Sequence, residues 1–323
     1  MTTGNSPNRI TMDFAKGAAT GTTERAAVVI TLGVFDGCHR GHQALIHEVC
    51  KMATRLRAAP VVVTFDPHPD EIVRSCQFQE RLFLLQDNVN FLKGAGASEI
   101  LVLPFDLQMA EQTAEEFLEA HVLSVGTLKG LVIGHDFALG KGRQGGGEFL
   151  RKWCSERQVE FCQVEPLKHD GEILSTSGIR ERLRDGRTSE ANGLLGRNYF
   201  LRGVVVEGQK LGRQLEFPTA NLRMSSPFVP AKGVYFSRMN FRGQWAFAAT
   251  NVGVRPTVDG LNLVVESHLL DTDENLYGED VKVELLTHLR GEVRFAGLPE
   301  LQTQIRLDIE EVRRRMGEWL AKI

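Results

Sequence analysis

The sequence lacks the features that mark several large classes of protein. Its five cysteines are an odd number and form no Cys-x-x-Cys pair, which argues against a disulfide framework and a cysteine-rich zinc site. No apolar run approaches the ~20 residues of a membrane-spanning helix. The net charge of −3 provides no strong basic field for nucleic acid. We therefore predict a cytoplasmic protein with no membrane and no nucleic-acid partner.

The composition is that of an ordinary globular protein with room for more than one domain. Of the 323 residues, 42% are hydrophobic and 24% are charged, and this length suits about two domains. Residues 1–25 are polar, rich in Thr and Gly, and lack the apolar core of a secretory signal. We predict that they form a flexible leader.

The first half of the chain alternates short apolar runs with helix-like segments. The predicted strands are 28–32, 61–65, 100–103, 130–133 and 159–164. The predicted helices are 43–57, 86–94, 113–123 and 147–157. This alternation is typical of βαβ units, and it predicts an α/β domain with a parallel sheet covered by helices on both faces.

The second half has a different pattern. After about residue 198, β-rich stretches are separated by Gly, Asn and Pro, and we predict strands at 199–206, 233–239, 244–251, 263–270 and 280–286. No long helix intervenes, which favours a small antiparallel β-barrel. The chain closes with a predicted helix, 298–322, whose one-sided apolar stripe would pack on the barrel. We place the domains at 26–190 and 191–323, joined through a polar connector at 184–197.

Residues 33–42, Gly-Val-Phe-Asp-Gly-Cys-His-Arg-Gly-His, stand where the first strand passes into a helix. A helix N-terminus attracts anions, and glycines let a phosphate approach the backbone. Imidazoles can bond phosphate oxygens as charge shifts. The stretch therefore predicts a nucleotidyl-transfer site, with Cys38 as a packing residue rather than a reactive thiol. Residues 66–69 and 134–136 also follow strands, so we expect them at the same edge of the sheet.

These segments resemble the bacterial bifunctional riboflavin kinase/FAD synthetase family. Residues 33–42 match GxFDGxHxGH, 64–69 match TFDPHP, 134–143 are similar to GxDFxFGxxR, and 174–180 look like ISST-x-IR. The resemblance implies a Rossmann-like nucleotidyltransferase domain that transfers AMP from ATP to FMN.

The resemblance also assigns residues. His39 and His42 would be catalytic and contact the triphosphate. The remaining ATP contacts would be Gly33, Phe35, Asp36, Gly37, Gly41, Ser175, Thr176, Ser177 and Arg180. The flavin contacts would be His68, Asp136 and Phe137. The alternative role for His68 is to shape a turn, and that for Asp136 is to cap the following turn. Ala138 and Leu139 depart from the frequent Arg and Phe of the family.

A second set of motifs resembles the riboflavin kinase of the same family. Residues 215–221, Leu-Glu-Phe-Pro-Thr-Ala-Asn, match its GFPTAN signature, and 251–257, 265–271 and 276–278 match NxGxRPT and VExHLLD…LYG. The implied ATP-binding residues are Gly203, Gly208, Gly212, Pro218, Thr219 and Asn221. Thr219 and Asn221 would also hold Mg²⁺, for which oxygen ligands are suited. Glu266 would be the general base. Glu207 and Glu216 depart from the usual His and Gly.

The leading interpretation is an enzyme that phosphorylates riboflavin to FMN and adenylylates FMN to FAD, with riboflavin, FMN and ATP as its small-molecule substrates. Three alternatives stay open. The first, motivated by Ala138 and Leu139, is a riboflavin kinase with a degenerate N-terminal domain. The second, motivated by Glu216, is a non-catalytic flavin- or nucleotide-binding regulator. The third is an adenylyltransferase for another acceptor, which would leave residues 203–278 unexplained.

Overall fold

A computed structural model describes residues 25–208, 217–257, 260–272 and 274–321. The predicted leader lies outside these ranges except for Arg25, as do Gly212 and Glu216. The described chain forms two compact units, one of residues up to 80 together with 85–174, and one of 81–84 together with the residues from 175 onward. Residues 175–190 thus belong to the second compact unit by their contacts, and the domain boundary at 190 stays a prediction.

The first unit is built on a five-stranded parallel sheet with the order β3-β2-β1-β4-β5. Its strands are β1 (Ala27–Leu32), β2 (Ala59–Asp66), β3 (Glu99–Pro104), β4 (Thr127–Gly134) and β5 (Glu160–Val164). The residues of β1 and β2 are largely buried and β-branched, as expected for strands covered on both faces. The α/β class and parallel sheet predicted from the sequence are confirmed.

Helices connect these strands. They are α1 (Arg40–Leu56), α2 (Pro69–Val73), α3 (Leu85–Gly94), α4 (Leu107–Ala110), α5 (Ala114–Phe117) and α6 (Gly147–Glu156). The segment predicted as one helix over 113–123 is instead α5 followed by a π-helical turn, Leu118–Val122. A short hairpin, β6 (Lys168–His169) and β7 (Glu172–Ile173), follows the sheet. No helix within the described ranges is both long and apolar enough to cross a membrane.

Helix α1 packs closely on the sheet beside the first motif. Its buried face includes Ile46, Val49 and Met52, which join Val29 and Val132 of the sheet in one apolar cluster. The close approach depends on Gly130, because a Cβ there would overlap Met52 Sδ. The helix that carries His42 is therefore fixed against β1 and β4 by packing.

The strand order places a ligand crevice at β1. The connections from β1 lead to β2 on one side, and the chain later returns to β4 on the other side. In open α/β sheets, such a reversal leaves a crevice beyond the carboxyl ends of the strands. Residues 33–42, 66–69 and 134–136 follow β1, β2 and β4, which are neighbours, so the predicted convergence of these segments at one edge is confirmed.

The second unit contains a closed barrel with the strand order β10-β11-β12-β9-β8-β13. Two helices precede it, α7 (Thr176–Arg184) and α8 (Thr188–Leu195). The strands are β8 (Tyr199–Val206), β9 (Ala220–Met224), β10 (Gly233–Phe241), β11 (Gln244–Thr257), β12 (Gly260–Leu269) and β13 (Asp280–Arg290). All its pairings are antiparallel, which confirms the predicted barrel.

The barrel interior contains a chain of hydroxyl groups. Ser237, Thr250 and Ser267 are fully buried. Ser237 Oγ donates to the Ala248 carbonyl at 2.9 Å and lies 2.7 Å from Thr250 Oγ1, which lies 2.8 Å from Ser267 Oγ. Because Ser237 uses its only proton on Ala248, Thr250 must donate to Ser237, and Ser267 must donate to Thr250. The chain satisfies three polar groups that would be costly to bury alone.

The terminal helix, α9 (Leu298–Leu320), packs on the barrel as predicted. Val312 is buried among Phe236, Leu270 and Leu286, and Ile309, Met316 and Trp319 pack around them. One ion pair fixes the helix further. Arg290 Nε and Nη2 donate to the two carboxylate oxygens of the buried Asp308 at 2.8 and 2.6 Å. This bidentate geometry is the strong form of an arginine–carboxylate contact.

Candidate active sites

The loop after β1 is held in its shape by backbone and amide hydrogen bonds. Phe35, Gly37 and Cys38 all have positive φ angles. Asn88 of α3 accepts a 2.8 Å bond from the Gly37 N–H and donates to Asp36 Oδ1 at 3.4 Å. Asp36 is only 2% exposed. Asp36 and Gly37 therefore shape the turn, and their direct contact with ATP stays a prediction.

Cys38 belongs to the interior of the first unit. It is fully buried in the cluster formed by α1 and the sheet, and its carbonyl accepts a 2.8 Å bond from Gln43 Nε2. The packing role predicted for this residue agrees with its burial. Burial also raises the pKa of the Cys154 thiol to about 12, so that thiol stays protonated at neutral pH.

The two motif histidines lie against each other at the start of α1. Their rings are stacked with a centroid distance of 3.7 Å, and the His42 ring meets the edge of Phe35 at 5.2 Å. His39 caps the helix, because its Nδ1 accepts the His42 N–H at 3.3 Å. A neutral His39 that accepts at Nδ1 carries its proton at Nε2, which makes Nε2 a hydrogen-bond donor.

This capping revises one expectation drawn from the sequence. A helix N-terminus was expected to offer its first-turn N–H groups to a phosphate, but His39 uses the N–H of His42. The positive end of the helix dipole remains at this point. The two imidazoles lie at this end of α1, and their contact with a phosphate stays a prediction.

Gly41 makes room for an imidazole. A Cβ at this position would lie 3.1 Å from both Nδ1 and Cε1 of His39, tighter than nine in ten real Cβ contacts. From the sequence, this glycine was expected to let a phosphate approach the backbone. In the structure, the absence of a side chain at Gly41 lets the His39 ring stack on the His42 ring.

The three predicted flavin contacts of the first unit differ in their burial and in their neighbours. His68 caps α2, accepting the Asp70 N–H at Nδ1 over 3.0 Å, and its ring lies 5.3 Å from that of Phe78. The Asp136 side chain is 80% exposed and lies 3.8 Å from His135 Nδ1, while its carbonyl accepts from Arg143. Phe137 packs against the core of the sheet. His68 thus has the turn-shaping contact considered for it, and flavin binding by these residues stays a prediction.

The residues that depart from the family pattern lie in the same segment. Leu139 is buried and forms a two-way backbone bridge with Gly145. Gly140 has a positive φ, and a Cβ there would lie 2.5 Å from the backbone nitrogen of Ala114. This loop is therefore held by backbone contacts.

Residues 175–180 open helix α7, which the contacts place in the second compact unit. Ser175 is the N-cap, and its Oγ accepts the Gly178 N–H at 3.2 Å. Ser175 and Ser177 are exposed, Thr176 is half-buried, and Arg180 is only 6% exposed. A helix N-terminus with two exposed serines suits an anion, but ATP binding by these residues stays a prediction.

A row of polar residues crosses the outer face of the barrel. Asn251 of β11 is directly opposite Glu266 of β12, and Glu266 is directly opposite Asn221 of β9. Directly opposed residues on adjacent strands project to the same face of a sheet. The neighbours of Glu266 along β12, Val265 and Ser267, are fully buried inside the barrel. The structure thus brings Glu266 and Asn221 together and adds Asn251, which was not expected in the site from the sequence.

The side-chain amide of Asn221 lies directly against the backbone of Gly208. A Cβ at Gly208 would lie 2.5 Å from Asn221 Oδ1 and would overlap Cγ and Nδ2 of the same side chain. Asn221 Nδ2 lies 3.5 Å from the Thr219 carbonyl. Thr219 and Asn221 are therefore neighbours, and the Asn221 amide rests on the bare backbone of Gly208. A side chain is likewise excluded at Gly203, because a Cβ there would meet the Arg223 carbonyl of β9.

Thr219 also lines a cavity of about 410 Å³. Pro218, Thr219 and Ala220 form one side, and Glu274, Asn275, Leu276 and Tyr277 form another. This volume is in the range of small-molecule sites, and the mixture of apolar and polar walls is typical of them. The Pro218 carbonyl lies 2.8 Å from His268 Nδ1, which fixes the segment that carries Thr219. Glu207, the second departure from the family pattern, is exposed.

The residues present fit a magnesium ion bound together with a nucleotide. Thr219 supplies a hydroxyl and Asn221 an amide oxygen, and hard oxygen ligands are those that Mg²⁺ takes. No three His, Cys, Asp or Glu side chains cluster as a metal site anywhere in the described ranges. Such a donor set suits an ion that keeps mostly phosphate and water ligands.

Comparisons with known proteins match both halves of the chain. Residues 22–178 match the family model of FAD synthetase, and residues 195–316 match that of riboflavin kinase. The bifunctional riboflavin kinase/FMN adenylyltransferase of Haemophilus influenzae is 34% identical over 288 residues, covering 87% of this chain and 92% of that protein. The Escherichia coli K12 protein of the same name is 34% identical, with 87% and 90% covered.

A solved structure has the same fold over most of the chain. A crystal structure described as a macrolide-efflux protein from Streptococcus pneumoniae superposes with a TM-score of 0.82 at 30% identity. It covers 91% of this chain and 95% of its own. Together with the polar row on the barrel and the histidine pair on α1, these likenesses show that the chain belongs to the bifunctional riboflavin kinase/FMN adenylyltransferase family.

Proposed function

We propose that the protein makes flavin cofactors in two steps, phosphorylating riboflavin to FMN at the barrel and transferring AMP from ATP to FMN at the first unit. The observation that carries the first step is the row Asn251–Glu266–Asn221 beside the cavity lined by Thr219. The stacked His39 and His42 at the N-terminus of α1 support the second step. Family membership supports both.

At the barrel, Glu266 acts as the general base. A primary alcohol such as the riboflavin 5′-hydroxyl is a poor nucleophile at neutral pH, and a carboxylate that accepts its proton promotes phosphoryl transfer. Asn221 and Thr219 hold the Mg²⁺–ATP phosphates next to Glu266. The adenosine portion of ATP then extends from Thr219 into the cavity that this residue lines. Mg²⁺ neutralises part of the phosphate charge when bound.

At the first unit, FMN supplies its own nucleophile, since its phosphate oxygen attacks the α-phosphorus of ATP and pyrophosphate leaves. The protein has to align the two phosphates and stabilise the developing charge. His39 Nε2–H and His42 at the dipole end of α1 bind the triphosphate. His68, Asp136 and Phe137 form the flavin side. We place this chemistry in the cytoplasm.

The test is a product assay on the whole chain. Purified protein is incubated with riboflavin, ATP and Mg²⁺, and flavins are separated by chromatography. FMN followed by FAD is the expected result. FMN without FAD would identify a kinase whose first unit is inactive, and the absence of both products would refute the proposal.

Glu266→Gln separates the two steps. It keeps the shape of the side chain but removes the base, so FMN formation should fall about 10²–10⁴-fold, while added FMN is still converted to FAD. His42→Ala is the matched control with the opposite pattern. It should abolish the conversion of FMN to FAD and leave FMN formation unchanged.

A further inference from the structure

The segment that follows β12 forms one wall of the cavity. This wall loop, residues 271–272 and 274–279, contributes Thr272 and the four residues 274–277 to the cavity lining. Its C-terminal end is fixed to the barrel, because the Gly278 N–H donates to the Val205 carbonyl at 2.9 Å, and the Val205 N–H donates to the Glu279 carbonyl at 3.0 Å. The part that faces the cavity needs a separate anchor.

One arginine supplies that anchor from a different part of the barrel. Arg242 stands at the turn between β10 and β11 with a φ of +47°. Its Nη1 lies 3.2 Å from Glu274 Oε2, and its Nη2 donates to the Asn275 carbonyl at 3.1 Å. Nε and Nη2 also donate to Glu279 Oε1 at 2.8 and 2.7 Å. A single guanidinium thus holds the wall loop at three points on both sides of Leu276 and Tyr277.

A second arginine holds the start of the loop. Arg313 of α9 donates to both carboxylate oxygens of Asp271, at 3.1 and 2.7 Å. Neighbouring Arg313 lowers the pKa of Asp271, so this carboxylate remains charged at neutral pH. Arg313 fixes only where the loop leaves β12. Arg242 is therefore the residue that sets how far the loop stands from Thr219 across the cavity.

We propose that Arg242 is a positioning residue for the nucleotide of the kinase step, acting only through the wall loop. The inference rests on the proposed function, since it takes the adenosine portion of ATP as the occupant of the cavity. Arg242 is not among the residues that line the cavity. Its loss should therefore change the affinity for ATP and leave the chemistry at Glu266 intact.

The solvent exposure of the Arg242 ion pairs limits how much the KM for ATP should change. The Arg242 side chain is 48% exposed, and its partners Glu274 and Glu279 are 46% and 32% exposed. Ion pairs in such settings are weak, and each changes an equilibrium by at most about fivefold. We therefore expect Arg242→Met to raise the KM for ATP in riboflavin phosphorylation about threefold to tenfold. The kcat and the KM for riboflavin should change less than about twofold, because no catalytic group moves.

The controls separate positioning from general stability. Arg314→Met removes an arginine of similar exposure, 52%, that pairs with Glu311 and Glu318 on α9, and its KM for ATP should equal that of the wild type. Arg242→Lys, which keeps the charge but loses the forked contacts, should lie between wild type and Arg242→Met. The conversion of FMN to FAD in the same preparations should be unchanged.

A double-mutant cycle still tests the proposal if one variant folds poorly. Glu279→Gln removes a partner of the same guanidinium. The double variant should therefore raise the KM for ATP by less than the product of the two single increases. Independent, multiplicative effects would overturn the proposal, as would a wild-type KM for Arg242→Met or a matching fall in kcat. Calorimetric titration with Mg²⁺–ADP reads nucleotide binding without turnover, so the inference can fail or hold even if riboflavin is not phosphorylated.

Discussion

Gly208→Ala is the substitution whose effect on the kinase site follows most directly from the structure. Gly208 has no positive φ that would strain an alanine, so the backbone itself accepts the change. The new Cβ would lie 2.5 Å from Asn221 Oδ1, whereas ordinary contacts begin at 3.4 Å. The Asn221 amide must therefore move by about 1 Å, away from the position opposite Glu266.

A shift of this size is large for a group that positions phosphates. Misplacement of a reacting group by about 1 Å costs up to about 10²-fold in rate. We expect kcat/KM for ATP in riboflavin phosphorylation to fall about 10- to 100-fold. The unfolding temperature should stay close to that of the wild type, because Gly208 is not in the barrel core. Steady-state kinetics with varied ATP, together with a thermal melt, measure both quantities.

The matched control is Gly317→Ala in α9. A Cβ there meets nothing within 4 Å, so this variant should keep wild-type kinetics and gain about 1 kcal/mol of stability from better helix propensity. Wild-type kcat/KM for ATP in Gly208→Ala would refute the reasoning, because it would show that the Asn221 amide can move without consequence. A large fall in melting temperature would also contradict it.

Three further predictions concern other parts of the chain. Gly41→Ala should lower FAD formation about tenfold, because its Cβ crowds the His39 ring, while FMN formation stays unchanged and thermal stability does not fall; the product assay and a melt decide this. Glu284→Gln should reduce the free energy of unfolding by about 1–3 kcal/mol at pH 7. Burial alone would raise the pKa of the Glu284 carboxyl, but hydrogen bonds from Lys282 and its other partners hold it below its ordinary value. The difference from wild type in urea unfolding should therefore be full above the unfolded pKa of about 4.3 and shrink as the pH falls below it. Asp308→Ala should cost about 3 kcal/mol, because Arg290 loses a bidentate partner, and equal urea midpoints would contradict this.

The regular elements could be predicted because their periodicity is local. The apolar runs of β1 and β2 and the three-to-four spacing along α9 are visible within single windows of sequence. Strand β9 was missed because it is short and only one of its residues, Leu222, is deeply buried in the barrel. The π-helical turn after α5 has no local sequence signal that we can identify.

The site was predictable only as far as its motifs reach. Glu266 and Asn221 could be named from the family resemblance, whereas Asn88 and Asn251 join their sites through pairings between distant segments. Their placement depends on strand register and helix packing, which a local pattern does not specify. Gly41 shows a related limit, because the sequence indicates that a side chain is excluded there but not which neighbour excludes it.

The buried hydroxyl chain has a consequence for how activity and folding are coupled. Thr250 and Ser267 face inward, and the next residues along the same two strands, Asn251 and Glu266, face outward in the polar row. A slip of β12 by one residue would turn Ser267 outward and put the carboxylate of Glu266 inside the barrel. Misregistered molecules should therefore be unfolded rather than merely inactive. A partly refolded sample should then contain only fully competent kinase and denatured chains, so that activity per folded molecule stays constant throughout renaturation.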